Sequence, residues 1–433
     1  MDRAIPVDEV RIRKGLRAQA HPAGQLLFAG GIAVVCLHVL DDNFLQPQPG
    51  VSGSDHLISG LVPIGVLLTI SAVYGQLRPG LRGAIALTLG LLGVVAGVEA
   101  AYYSLKVGPS GDDYTGLLAI PAGLLVMGIG AVTLWRTRRR GDGLRRRYLR
   151  RTLIALGSAV AAYLVLFPFA LSYVFTHLAR AGVPEAKLGA PYEQVSFTTS
   201  DGLRLRGWYV PSKNGAVVIT FPGRKGPQKQ ARMLVRHGYG VLLFDRRGEG
   251  ESEGDPLVFG WGGEKDVNAA VAYLQRRHVD PDRIGGLGLS VGGEMMLEAA
   301  AESNGLRAVV SEGAGARSIR EDVSLPGLAK WIDLPSALAV TTGTVIFSNQ
   351  LPPPSLKSLV PRIAPRPVFL IYATHGQGGE VELSPQYYAE AAEPKTLWAI
   401  SDGSHTGGID ARPQEYEQRV TAFFDDALLA EQD

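Results

Sequence analysis

The sequence predicts one chain in two solvents. An α-helical membrane region of about five transmembrane helices is followed by an α/β domain, a mostly parallel sheet with helices on both faces and a helical cap insertion. Three observations carry this. Long apolar segments recur over residues 20–180, separated by short charged loops. After residue 190 runs of strand character alternate with amphipathic helical stretches. Charged residues make up 19% of the 433 residues against 46% hydrophobic, and the deficit of charge lies in the first part. Two domains are expected, at 1–180 and 190–433.

A helix needs about 20 apolar residues to cross the hydrocarbon of a bilayer. Gly24–Leu40, Leu57–Tyr74, Ala84–Tyr103, Gly116–Trp135 and Leu153–Phe175 qualify. The first is the shortest, contains His38, ends at Asp41 and Asp42, and follows the basic stretch RIRKGLR (11–17), which gives it the outline of a signal peptide. No small-residue cleavage site follows it and further apolar segments do, so it reads as an uncleaved span. Arg11, Arg13, Lys14 and Arg17 precede the first span, Arg78 and Arg82 follow the second, and RTRRRGDGLRRRYLRR (136–151) follows the fourth. The alternate loops, 41–56 and 104–113, hold one lysine and several aspartates. Positive-inside bias puts the N-terminus in the cytoplasm and the chain after Phe175 outside the cell membrane. The arginine run fits this alternation and is not read as a nucleic-acid patch. Glu99, followed by Ala-Ala-Tyr-Tyr, reads as an interfacial residue, and Tyr102, Tyr103 and Trp135 as interfacial aromatics. The net charge of +2 specifies no partner. The single cysteine, Cys36, excludes an intrachain disulfide framework and a Cys-based metal site.

From Glu193, QVSFTT and LRLRGWYV alternate apolar and polar residues around Asp201-Gly202, the pattern of an antiparallel hairpin. AVVITF (216–221) has the continuous β-branched run of a strand buried on both faces. A helical stretch at Gln228–Arg236, the strand GVLLFD (240–245) and the helix GGEKDVNAAVAYLQRR (262–277) follow. Then come the strand RIGGLGLS (283–290), the helix VGGEMMLEAAAES, and the strands RAVVSEG, PVFLIYA (367–373) and KTLWAIS (395–401). PQEYEQRVTAFFDDALL (413–429) closes the domain as a helix with Pro413 in its first turn. About 50 residues between VVSEGAG and PVFLIYA exceed any simple crossover and form the cap, about 316–364. Its apolar positions Leu325, Trp331, Leu334, Phe347 and Leu351 are expected to pack on the core, with a pocket lining or a membrane surface as alternatives.

Gly288-Leu289-Ser290-Val291-Gly292 stands where a strand ends and a helix begins. That arrangement is a nucleophile elbow, exposing Ser290 Oγ above the sheet and aiming the helix amides at a developing oxyanion. A serine hydroxyl needs a base, and His405 in SDGSHTGGI (401–409) follows the last strand. His237 and His278 lie at helix ends, and His375, after PVFLIYA, is the rival base. The loop THGQGGEVELSPQYY (374–388) offers Glu380 as the acid, with Glu382 second and Asp402 third. The oxyanion donors are expected to be the amide of Val291 and, in the turn FPGRKG (221–226), the amide of Arg224 after Gly223.

These residues resemble the α/β-hydrolase superfamily, and within it the serine aminopeptidase and dienelactone-hydrolase-like branch, over about residues 190–430. The resemblance is carried by GLSVGG, FDRRGEGES (244–252), VDPDRIGGLG (279–288) and PKTLWAISDGSHTGG (394–408). It implies that Asp245, Arg247, Gly248, Gly250 and Ser252 shape the floor of the site. The chain departs from the pattern in having Pro222-Gly223 where His-Gly is usual, and glutamates in a glycine-rich loop where an aspartate is usual. The implied activity is that of a membrane-anchored serine hydrolase cleaving an ester, thioester or amide through Ser290, His405 and Glu380. A small-molecule or lipid-like acyl substrate and the lipid bilayer are the expected partners, with no metal, cofactor or nucleic acid. A non-catalytic sensor or scaffold retaining the fold, and an acyltransferase, are the alternatives.

Overall fold

The structure, a computed structural model, describes residues 22–108, 113–137, 143–178, 180 and 182–430. Arg11, Arg13, Lys14 and Arg17, residues 138–142 of the arginine run and residues 109–112 lie outside the described residues. The chain forms two compact units. One ends at Ala162; the other comprises Pro47–Asp55 and the chain from Tyr163 on.

The first unit is helical: α1 (Pro22–Leu40), α2 (Leu57–Val73), α3 (Pro79–Val107), α4 (Asp113–Arg136) and α5 (Leu144–Ala161). With α6 (Phe167–Thr176), which belongs to the second unit, they supply five candidate membrane spans, Pro22–Leu45, Gly53–Gln76, Pro79–Lys106, Tyr114–Arg136 and Leu144–Thr176. The fifth begins inside the arginine run, because arginine is a good helix former and continues the apolar helix backwards. α3 and α4 pack antiparallel through glycines seven residues apart, Gly83, Gly90 and Gly97 against Gly130, Gly123 and Gly116. A Cβ on Gly90 would stand 2.5 Å from Gly123 O, one on Gly97 2.7 Å from Gly116 O, and one on Gly130 2.8 Å from Gly83 O. Small residues let backbones approach where lipid offers no hydrophobic drive to associate.

The second unit holds an eight-stranded sheet: β1 (Glu193–Thr198), β2 (Arg204–Val210), β3 (Val217–Phe221), β4 (Gly240–Phe244), β5 (Ile284–Leu289), β6 (Ala308–Glu312), β7 (Val368–Ala373) and β8 (Lys395–Ile400). Its order is β1-β2-β4-β3-β5-β6-β7-β8. β2 runs antiparallel to β1 and β4, with Glu193 opposite Tyr209, and every later pairing is parallel. Alternate residues of β3 enter different layers. Val217, Ile219 and Phe221 pack with α8 (Glu264–Arg276) and α9 (Val291–Glu302), while Val218 packs with α7 (Gln228–Arg236) and α15 (Pro413–Leu428).

The cap holds α10 (Ile319–Ser324), α11 (Ala329–Ser348) and α12 (Leu356–Leu359). Fully buried Glu321 ties its two ends together, accepting from the Arg317 N–H at 2.9 Å and the Leu356 N–H at 2.7 Å. The expectation that the cap's apolar positions pack on the core holds for only some of them. Trp331 and Leu351 are 57% and 78% exposed, and Phe347 packs on α6, an apolar partner that no local pattern in the cap reveals. The glycine-rich segment after β7 is also corrected. It becomes the helix α13 (Glu380–Glu390) despite Pro385 in its interior. A short α14 (Gly408–Ala411) precedes α15.

Candidate active site

β5 ends at Leu289, α9 begins at Val291, and Ser290 between them has φ 52° and ψ −126°. A side chain adopts that conformation only under constraint, and here close packing supplies it. A Cβ on Gly292 would stand 2.5 Å from Pro222 N and 2.7 Å from Phe221 C; one on Gly288 would stand 2.5 Å from the Gly293 N and overlap Gly292. Strand, turn and helix are therefore too close for anything but glycine at these positions. Ser290 N–H donates to Glu312 O at 2.8 Å, fixing the bend to the end of β6.

His405, in the loop after β8, places Nε2 2.8 Å from Ser290 Oγ. Its neighbour Thr406 also has a positive φ, 54°. The loop is pinned by Glu312, whose Oε1 accepts from the Gly408 N–H at 2.8 Å and whose Oε2 accepts from the Tyr416 hydroxyl at 2.7 Å. Burial pushes the Glu312 carboxyl up, and those two donors oppose the push. On the far side of the imidazole, Nδ1 lies 3.2 Å from Oε1 of Glu380, the first residue of α13 and fully buried. The approach is off the line of a good hydrogen bond: Nδ1 and Glu380 Oε2 have no well-aligned partner among the described residues. At 3.2 Å the carboxylate is close enough to attract the imidazole once the ring carries a second proton. Room for it comes from Gly313, where a Cβ would stand 2.8 Å from Glu380 Oε2, and from Gly376, where one would overlap the carboxyl. Glu380 raises the His405 pKa above the ordinary imidazole value; burial opposes this, and Glu312 and Glu294 add smaller contributions.

The sequence-derived candidates separate cleanly. Ser290, His405 and Glu380 form one chain of contacts. Glu382 is exposed on α13, and Asp402 is exposed and paired with Arg412 at 2.9 Å. His375 is exposed against Thr374, and His237 pairs with Glu417. Val291 occupies the first helical position, where an α-helix leaves its amide without an intrahelical acceptor. The expectation for the Arg224 amide is overturned: that N–H donates to Asp245 Oδ1 at 2.8 Å. The Arg224 side chain is 1% exposed and holds the same carboxylate through Nε and Nη2 at 2.8 and 2.6 Å. The turn after β3 is thus locked to the segment after β4. In that segment Ser252 Oγ donates to Asp245 O at 2.6 Å and Arg247 bonds buried Asp266.

Two carboxyls near the serine escaped the sequence reading. Glu312 stands at the end of an apolar strand, where a glutamate is out of character, and that was its only signal. Glu294, one turn beyond Ser290, accepts from the Gly315 N–H at 3.1 Å. Burial pushes its pKa up to about 7, against the pull of Arg317 and that amide. Among the described residues no group of three or more His, Cys, Asp or Glu side chains is placed to hold a metal ion.

The sheet order, with a sharp strand-to-helix turn after β5 and a histidine loop after β8, is the arrangement of the α/β-hydrolase fold. Within it, residues 185–360 match the model of the family described as X-Pro dipeptidyl-peptidase (S15 family). The chain is 27% identical over 266 residues to the uncharacterised protein YfhR of Escherichia coli K12, spanning 57% of this chain and 86% of YfhR. It is 34% identical over 137 residues to the polyketide transferase grgF of a Penicillium species, 28% of this chain and 44% of that protein. An esterase structure from Pyrococcus furiosus covers 57% of this chain and 96% of its own, with 24% identity and a TM-score of 0.46.

Proposed function

We propose that this chain is a membrane-anchored serine hydrolase that cleaves an ester, thioester or amide through an acyl-enzyme. The observation that carries the reading is the 2.8 Å contact between His405 Nε2 and the Oγ of a serine held at positive φ on an elbow. Ser290 Oγ attacks the substrate carbonyl as its proton passes to His405 Nε2. The charge that develops on the imidazole is stabilised by Glu380. The carbonyl oxygen becomes an oxyanion facing the Val291 N–H at the start of α9. With the Arg224 amide committed elsewhere, Gly223 N–H is the second donor in this scheme; Gly223 has φ 67° in the same turn. His405 then protonates the leaving group, and a water activated by the same imidazole releases the acyl group. An alcohol in place of that water gives acyl transfer, a second reading favoured by the similarity to a polyketide transferase.

We further propose that the hydrolase domain lies outside the cytoplasm. The loop Pro47–Asp55, which follows the first candidate span, belongs to the same compact unit as the sheet. Gly254 N–H donates to Pro49 O at 2.9 Å, and Arg180 reaches Gln48 Oε1 at 3.3 Å. Four candidate spans separate this loop from the sheet, an even number, as a shared side of the membrane requires. Arg78 and Arg82 fall on the other side, in keeping with positive-inside bias.

The test is labelling of the full chain by a fluorophosphonate. The wild-type protein is labelled and Ser290→Ala is not. A folded wild-type chain that resists the probe would leave only the scaffold reading.

A further inference from the structure

A cleft opens between α6 and the cap helix α11. α6 is the end of the fifth candidate span. The two helices pack through Phe347, whose ring centroid stands 5.3 Å from those of Phe169 and Tyr173, and Ser336 Oγ donates to Leu164 O at 3.0 Å. The cleft has a volume of about 810 Å³, with Phe167, Leu325, Ala337 and Val340 among its apolar lining and Asp322 and Lys330 among its polar lining. This is the size and mixture of a small-molecule site.

A second open pocket, of about 320 Å³, shares Asp322, Ala337 and Val340 with the cleft and continues to Phe259, Ala316 and Arg317. Two of its lining residues adjoin glycines that approach α9 near the serine. A Cβ on Gly260, beside Phe259, would stand 2.7 Å from Val291 Cγ2. Gly315, beside Ala316, donates to Glu294, one turn along α9 from Ser290. The first cleft is lined by Gly379, the residue before Glu380.

The outer side of these walls is apolar and uncovered. Leu328, just before α11, and Trp331, Ile332 and Leu338 on it are 81%, 57%, 64% and 46% exposed, and their spacing puts them on one side of a helix. Tyr163 and Phe167, next along the fifth candidate span, are 73% and 60% exposed. Such a patch is unfavourable in water, and its continuity with a span assigns it to the hydrocarbon of the bilayer.

We propose that the two cavities form one path that carries the acyl chain of a bilayer lipid from between α6 and α11 to Ser290. The substrate class is a long-chain acyl ester or amide drawn sideways out of the membrane. This rests on the serine-hydrolase reading and uses its chemistry. The Ser290 Oγ–acyl bond forms as the bond from the acyl carbon to the leaving oxygen or nitrogen breaks. The hydroxyl proton reaches that leaving atom through His405, and water then splits the acyl-serine ester.

The test uses the full chain in phospholipid nanodiscs with p-nitrophenyl acetate, octanoate and hexadecanoate. Val340, half-buried and common to both cavities, is the position to change. Wild-type protein turns over hexadecanoate faster than acetate. Val340→Trp, which blocks the path, lowers the hexadecanoate-to-acetate ratio by about tenfold or more, since even one methylene is worth that much in an apolar pocket. Val340→Ala, which widens it, raises the ratio, so the idea stays testable if the tryptophan variant does not fold. A ratio unmoved by both variants, or a wild-type preference for acetate, overturns the path while Ser290 still labels and acetate is still cleaved. A wild-type chain that neither labels nor cleaves any of the three esters removes the hydrolase reading itself.

Discussion

In the proposed mechanism Glu380 acts on the reaction only through His405, so its replacement should alter the imidazole more than the fold. The carboxylate is the largest cause of the raised His405 pKa, and a general base must be neutral to accept the serine proton. The acid limb of kcat/KM therefore follows His405 and falls as pH drops below its raised value. Glu380→Gln removes the charge that favours imidazolium, so the pKa falls and the limb moves to lower pH. The same change drops kcat by about 10³–10⁴-fold, the scale seen when the acid of a triad becomes an amide. A pH–rate series on the two proteins checks both effects, and Asp402→Asn, whose carboxylate is turned to Arg412, should leave the limb in place. A limb that does not move in Glu380→Gln would hand the role to Glu312 or Glu294, the other carboxylates that raise His405. Residue identity made Ser290 and His405 legible in the sequence, because the elbow motif and chain order constrain both. The choice among Glu380, Glu382 and Asp402 needed distances. The Arg224 amide was misread because a turn's position says where a donor can be, and only Asp245, 21 residues on, says that it is already taken.

At the scale of elements, the elbow is a packing problem. Gly292 lets α9 rest against Phe221 and Pro222 at the end of β3, which keeps the Val291 amide beside the turn carrying Gly223. In Gly292→Ala the new methyl meets backbone atoms that cannot swing aside, so the helix start must shift. The expected cost in stability is about 1–3 kcal/mol, that of an overpacked core. The expected loss in kcat is larger in effect, about 10²-fold or more, as for removal of one oxyanion donor. Thermal melts beside turnover separate the two, and a variant that melts earlier but keeps its kcat would show that α9 need not touch the turn. The strands were legible here for the same reason that glycine is required: both-face burial leaves unbroken β-branched runs such as VVITF, and hard turns leave Gly and Asp between them. α13 was not, because Gly378, Gly379 and Pro385 are loop residues by propensity, and tertiary packing of Leu383 and Tyr387 into the core overrides them. The glycine ladder of α3 and α4 has a seven-residue period that hydropathy alone does not register, since glycine counts little toward an apolar segment.

For the whole molecule the decisive quantity is parity. Loop Pro47–Asp55 packs within the unit that holds the sheet; if the candidate spans cross a membrane, as proposed, both lie on one side and the spans between them are even in number. Positive-inside bias then assigns the side from Arg78 and Arg82, which sit across one further crossing. Single cysteines report this directly, because Cys36, the only native one, lies within a candidate span and can be replaced by alanine. On intact cells, a membrane-impermeant maleimide should modify Ser52→Cys at once and Arg78→Cys only after lysis, and an impermeant fluorophosphonate should label Ser290 without lysis. Each outcome bears on a different link. Ser290 labelled with Ser52→Cys silent would break the shared side and hence the even count. Both silent until lysis, with Arg78→Cys reactive, would keep the parity and invert the chain, placing the acyl path at the inner leaflet. Because α6 is the end of the fifth candidate span and packs on α11 through Phe347, in the proposed topology whichever leaflet meets Ser52 is also the leaflet from which the cleft beside α11 can draw its substrate.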